Sequence, residues 1–171
     1  MYENYTAEQI VAFIRENWPE QDGPTSDFLI YLNRVRDVIH TRAKEIVSNF
    51  GLSTGEFDIL ATLRRAPSPY VLTPTELQRS VLITSGGLTK LLYQLEERDL
   101  VSRSIQAQDK RSKLVHLTSK GKKTVERAVA TFMQAQQPWI GNALTEKELA
   151  QLKKLLGKAA RELEKTQTHQ P

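Results

Sequence analysis

Residues 84–112 read TSGGLTKLLYQLEERDLVSRSIQAQDKRS, and the fold follows from how this stretch divides. Leu88, Leu91, Leu92 and Leu95 recur at i, i+3, i+4 and i+7, which places them on one stripe of an α-helix. Gly86, Lys90 and Tyr93 fall roughly opposite, with Thr89 and Gln94 on the shoulders. These outer groups are small, hydroxylic, amidic and cationic, types that can enter a DNA major groove and donate to phosphates and base edges. Alone, such a helix is most simply an ordinary surface helix with a solvated polar face. Its surroundings change that reading.

Upstream, Thr73 and Glu76 have the spacing of a capping box, with Leu72 and Leu77 as its apolar staple and Pro74 at the first helical position. The short helix this predicts, 74–79, is separated from the next only by SVLIT, so the pair reads as helix-turn-helix. Downstream, Val101, Arg103 and Ile105 alternate with polar residues, and Val115 and Leu117 do the same after the polar tip QAQDKRS. Two strands around a charged tip make a β-hairpin wing. The expected fold class is therefore mainly α with a small β-hairpin wing: a winged helix-turn-helix with further helices at both ends of the chain.

Those helices are announced by the same local code. Capping boxes are spelled by Thr6 and Gln9, Ser53 and Glu56, and Thr145 and Glu148. They predict helices over about 6–18 and 54–65, and a last helix carrying Leu149, Leu152, Leu156, Ala159 and Leu163. Between them, a helix is expected from near Ser26 to about Phe50, where Gly51 is a natural stop. Thr118 should cap another, running to about Pro138 or a little beyond, and the tail TQTHQP is expected to be disordered. The apolar stripes of the terminal helices exceed what a small winged core can cover, so a homodimer is expected. The expected division is 1–50 for N-terminal helices that dimerise and wall a ligand pocket, 51–118 for the winged lobe, and 119–171 for C-terminal dimerisation helices.

Composition narrows the function. The chain has 171 residues, 39% hydrophobic, with a mean hydropathy of −0.45, enough for a core without staples. It has no cysteine, which excludes disulfides, thiolate metal sites and cysteine nucleophiles. No apolar run approaches the length of a membrane span, and MYENYTAEQIV lacks the basic and apolar regions of a signal peptide, so the expected location is cytoplasmic. Charge is uneven. Between Thr73 and Lys123 ten basic residues face five acidic ones, a net +5, which leaves −1 of the chain's +4 for everything else. Such a concentration suits a polyanion-binding module. Enzyme chemistry is not indicated: His40, His116 and His169 are scattered, and no phosphate loop, metal-ligand spacing or nucleophile elbow occurs. No catalytic residue, metal or cofactor is expected.

From Leu72 to Lys123 the chain resembles the MarR family of winged-helix transcriptional regulators. The specific signature is Asp109-Lys110-Arg111-Ser112 followed by Val115-His116-Leu117-Thr118-Ser119-Lys120-Gly121, matching the family pattern D-x-R-S then V-x-L-T-x-x-G. The resemblance implies an obligate dimer of triangular outline, most often a repressor, whose two winged modules read a pseudo-palindromic duplex. It places Ser85, Gly86, Thr89 and Lys90 at the start and outer face of the groove-reading helix. Thr73, Thr75 and Arg79 would contact phosphates, and Arg111 would enter the adjacent minor groove. Thr84, Gln94 and Lys110 complete the expected DNA-facing set, and Asp109 would orient the wing. A winged-helix module for protein assembly is the competing expectation; it should lack the basic face and the Asp109–Arg111 tip.

Helix 54–65 carries an acid, Asp58, among Phe57, Ile59, Leu60, Ala61 and Leu63. A part-buried carboxylate needs a partner, and a structural ion pair is the plain reading. The N-terminal helix with its Trp, the GEFDIL segment and the TPTELQRS segment resemble the urate-responsive, PecS-like subgroup of the family. That resemblance implies a pocket in which Trp18, Asp58 and Arg103 take part. The chain departs from the subgroup at Leu91, where an arginine would stand, so a urate-type anion loses one cation. The implied effector is a small aromatic acid, phenol or purine, acting by shifting the population of DNA-competent dimers.

Overall fold

A computed structural model describes residues 5–81, 84–106 and 109–167, with side chains throughout except at 105, 106, 109–112, 166 and 167. Helix α1 (Ala7–Asn17) is followed by a single 3-10 turn (Pro19–Gln21) and the long α2 (Pro24–Ser48). The winged lobe then comprises α3 (Thr54–Arg65), β1 (Val71–Leu72), α4 (Pro74–Ser80), α5 (Ser85–Glu97), β2 (Val101–Gln106) and β3 (Asp109–Leu117). Helices α6 (Ser119–Ala143) and α7 (Glu146–Gln167) complete the chain. None of the described helices is long and apolar enough to cross a membrane.

All four capping boxes form. In each, the Ser or Thr oxygen accepts from the N3 amide while the Glu or Gln reaches back to the cap amide: Thr6 with Gln9, Ser53 with Glu56, Thr73 with Glu76, Thr145 with Glu148. Thr118 also caps as expected, its Oγ1 accepting from the Gly121 amide at 2.9 Å. Gly51 turns the chain out of α2 at φ 67°, a conformation open to glycine at little cost. Asp99 takes the same left-handed region at φ 57° just past α5, where a short polar side chain is tolerated.

Four features depart from expectation. Helix α2 starts at Pro24 rather than Ser26, because proline is preorganised for the first helical position. Helix α6 runs through Pro138 as far as Ala143. The wing is a three-stranded antiparallel sheet in the order β1-β3-β2, not a hairpin alone: Val71 pairs with His116 and Leu72 with Val115, which adds a short strand just before α4. Of the tail expected to be disordered, Thr166 and Gln167 continue α7, and 168–171 lie outside the described residues.

The core sits inside the winged lobe. Ile59, Leu60 and Leu63 of α3, Leu77 of α4, and Leu88, Leu92 and Leu95 of α5 pack with Val101, Val115, Leu117 and Val125, and Val47 and Leu52 close one end. The first compact unit ends at Ala128 and holds α1, α2 and the winged lobe; a second begins at Val129. Within the first, α1 buries Ala7 and Val11. Helix α2 buries only Val47, while Phe28, Leu29, Tyr31, Leu32, Val35, Val38 and Ile39 stay exposed. Within the second unit, Leu149, Leu152, Leu155 and Leu163 of α7 are likewise open to solvent.

Candidate nucleic-acid interface and adjoining recess

Helix α5 is held by one face and free on the other. Leu88, Leu92 and Leu95 are buried, and Leu91 packs against the same core from the edge. Ser85, Gly86, Thr89, Lys90 and Tyr93 are exposed, and Gln94 is half-buried. Thr84 caps the helix, its Oγ1 accepting from the Gly87 amide at 3.2 Å, and Thr89 returns its hydroxyl to the Ser85 carbonyl at 3.1 Å. A Cβ added to Gly86 would meet nothing within 4 Å, so packing inside the lobe does not require glycine there.

On α4, Thr75 and Arg79 are exposed, whereas Thr73 is half-buried and its hydroxyl is committed to Glu76 at 2.8 Å. The bonds from the Thr73 amide and hydroxyl hold the Glu76 carboxyl below its ordinary pKa. Lys110 and Arg111 lie on β3 by their backbone; their side chains, and that of Asp109, are outside the described set. The structure thus brings the expected residues of α4, the α5 start and β3 into one lobe, and leaves all but Thr73 and Gln94 of those on the two helices open to solvent.

One network was not legible beforehand. Glu56, buried to 6% exposure, caps α3 and also accepts from Arg98 Nη2 at 2.5 Å. Arg98 sits at the end of α5 and donates as well to the Gly51 carbonyl at 2.5 Å and the Gln94 carbonyl at 3.3 Å. Lys120 Nζ donates in turn to the Arg98 carbonyl at 2.8 Å. Helix α5 is thereby tied at its C-terminal end to the start of α3 and to the first turn of α6.

The three expected effector residues have separate surroundings. Trp18 ends α1 and is 55% exposed. Arg103 on β2 bonds Glu96 of α5 through Nε at 2.7 Å and through Nη2, an ion pair that raises the pKa of the arginine and lowers that of the glutamate. Asp58 lines a recess of about 230 Å³ with Thr62, Arg65, Ser80 and Val81, a lining that contains neither Trp18 nor Arg103.

Asp58 is more exposed than the apolar run around it suggested, because its side chain leaves α3 on the face away from Ile59, Leu60 and Leu63. Loss of water in the recess still raises its pKa, and Arg65 and His40 partly offset this. A carboxyl raised by folding binds its proton more tightly in the native state. Asp58 therefore opposes folding increasingly as the pH climbs from the ordinary carboxylate range through its raised value. Arg65 went unnoticed in the sequence, although Asp58, Thr62 and Arg65 have the i, i+4, i+7 spacing of one helical face.

Comparison with known proteins agrees with this fold. The model of the MarR family matches residues 52–113, the segment from the α3 cap to the wing. The transcriptional regulator PecS of Dickeya dadantii is 31% identical over 154 residues, covering 90% of this chain and 92% of that protein. Among solved structures, a mutant MarR from E. coli superposes with a TM-score of 0.68 at 28% identity, covering 76% of this chain and 93% of that one. MepR of S. aureus, solved in complex with DNA, gives a TM-score of 0.66 at 27% identity, covering 77% and 96%. With a winged helix-turn-helix in place and relatives that are regulators over nearly their whole length, the chain belongs to the MarR family of DNA-binding transcriptional regulators.

Proposed function

We propose that this chain is a homodimeric, cytoplasmic repressor that binds a pseudo-palindromic operator through α4, α5 and the wing, and that a small aromatic or anionic ligand modulates its affinity. The observation that carries the DNA reading is the free polar face of α5, set opposite buried Leu88, Leu92 and Leu95 in the one segment that concentrates positive charge. In this reading Thr75 and Arg79 contact phosphates, Ser85, Gly86, Thr89 and Lys90 read the groove with Thr84 and Gln94 beside them, and Arg111 enters the flanking minor groove with Lys110 next to it. Thr73 acts through its cap. Replacing Arg111 by Ala should weaken binding to the DNA upstream of the protein's own gene by about 1–3 kcal/mol, read by gel shift at two salt concentrations. Unchanged affinity would remove the wing contact.

Dimerisation accounts for the exposed apolar residues of α2 and α7, which a solitary chain would leave in water. The roles divide accordingly: 1–50 and 119–171 for association, 51–118 for DNA. Sedimentation at micromolar concentration should give a single species of twice the chain mass; a stable monomer would overturn this.

The ligand reading rests on the Asp58 recess, where a carboxyl of raised pKa stands beside Arg65 and two hydroxyl groups. Arg103 serves such a ligand only by giving up Glu96, and Leu91 supplies no cation, so a urate-like anion is disfavoured against a neutral phenol or a weakly acidic aromatic. Trp18 and Trp139 both lie outside that lining, so their emission would follow only a change carried through the fold, and release of DNA is the direct readout. Titration with aromatic acids, phenols and purines should change tryptophan emission and release DNA. Silence at millimolar concentrations would end the proposal.

A further inference from the structure

Helix α7 divides its surface by charge more sharply than its composition suggests. Its 22 residues hold six basic and four acidic side chains, a surplus of two. At about 100° per residue, Lys147, Lys154, Lys158, Arg161 and Lys165 fall within roughly 60° of one another. Leu149, Leu152, Leu155 and Leu163 lie on the other side, and all four glutamates stand outside the basic stripe. All five cations are exposed. At 1.5 Å per residue the stripe runs about 27 Å along the helix axis.

A solvated helix face is usually laced with charges of both signs. Here Lys154 and Lys158, Lys158 and Arg161, and Arg161 and Lys165 are neighbours at i+4, i+3 and i+4. Like charges therefore meet three times in succession, an arrangement that destabilises an isolated helix. Glu162 pairs with Lys165 at 2.9 Å, whereas Lys147, Lys154 and Lys158 pair with no carboxylate among the described residues. Such a line of unneutralised cations is complementary to an extended polyanion.

The layout of the helix separates the kinds of polyanion. With the leucines sunk in a bilayer, the stripe would point away from the headgroups, so a lipid surface suits it poorly. Protein interfaces are depleted of lysine and anchored by buried aromatic residues, but this face adds only Ala150, Gln151 and Gly157 at its margins. A DNA duplex carries one negative charge per roughly 1.7 Å of its axis and is held by cations alone. In the dimer of the proposed function the second copy covers the leucines of α7 and leaves the stripe to solvent. We propose that the basic stripe of α7 is a second DNA-contact surface, distinct from the winged lobe, which holds the phosphate backbone of non-operator duplex without reading its sequence.

The test uses the full-length protein and a fluorescent random-sequence duplex, with affinity measured across a salt series. The wild type is compared with a stripe variant, Lys147→Gln with Lys154→Gln and Lys158→Gln, and with the same three positions changed to arginine. A control variant, Arg36→Gln with Lys44→Gln and Lys153→Gln, removes equal charge from exposed positions off the stripe. The stripe variant should lose about tenfold or more in affinity at low salt, and its slope of log affinity against log salt should be shallower by about 2–3. The arginine and control variants should keep the wild-type slope. Since like-charge contacts are relieved, the stripe variant should melt at or above the wild type, which separates lost DNA binding from lost fold. A wild-type slope in the stripe variant overturns the inference, and an equal loss in the control variant overturns it in favour of net charge. Phosphatidylserine vesicles or polyglutamate bound by the wild type and released by the stripe variant, with DNA affinity unchanged, overturn it in favour of a lipid or an acidic protein.

Discussion

Gly121→Ala should destabilise the protein by about 3 kcal/mol or more, lowering the thermal midpoint by roughly 6–12 °C. A Cβ built on Gly121 would lie 2.0 Å from the Leu100 carbonyl oxygen, 2.9 Å from its carbon and 3.0 Å from Leu117 Cδ1. Two of these are backbone atoms, so no flexible side chain can move aside. The carbonyl is also pinned, because it accepts from the Thr118 hydroxyl at 3.1 Å and the Thr118 amide at 3.3 Å. The first turn of α6 must therefore shift, taking the Thr118 cap with it. Gly86→Ala is the matched control: its Cβ enters open space on an exposed helix, where alanine gains up to about 1 kcal/mol over glycine. One substitution type, two signs, read by thermal melting; equal effects at both sites would refute the packing argument for Gly121.

The contrast shows which parts of this molecule can be read from sequence. Helix α3 has the bounds expected of it because its start is encoded within four residues, in Ser53 with Glu56. The apolar periodicity of Leu88, Leu92 and Leu95 names the buried face without knowledge of what covers it. Gly121 was visible as part of a motif, yet the reason for it, a carbonyl from the residue after Asp99, belongs to the meeting of two elements. The same holds for Arg103: the family resemblance implied a ligand role, but its partner Glu96 lies on another element and takes the guanidinium. Local chemistry writes caps, stripes and turns into neighbouring residues, whereas partners across the fold leave no periodic trace. Candidate DNA contacts on α5 share one helical face that periodicity displays, whereas those on α4 were implied by the family resemblance. The effector trio was not brought together, since Trp18, Asp58 and Arg103 stand on three separate elements.

Glu56→Ala carries the second large effect, a loss of about 3 kcal/mol, toward the lower end of what breaking a buried ion pair costs because Arg98 remains partly solvated. Each carboxylate oxygen has its own task. Oε2 accepts from the Ser53 amide at 2.8 Å and the Ser53 hydroxyl at 3.1 Å, and Oε1 accepts from Arg98 at 2.5 Å. Removing the side chain leaves the Ser53 amide without its acceptor at the start of α3 and a guanidinium without its counter-charge. The urea midpoint should fall on the order of 1–3 M. Glu56→Gln keeps one acceptor and should lose less, while Arg98→Ala combined with Glu56→Ala should cost less than the sum of the two singles, by about 0.5–3 kcal/mol. Strict additivity would mean that the pair contributes nothing beyond its separate contacts. Because Arg98 also anchors to the Gly51 and Gln94 carbonyls, the single variants should release the end of α5 and weaken operator binding even below the unfolding transition. Gel shifts on protein shown by circular dichroism to be fully folded separate that positional loss from a loss of folded molecules: unaltered affinity would confine the pair to stability, and reduced affinity would make it the strut that holds the reading helix at its working angle.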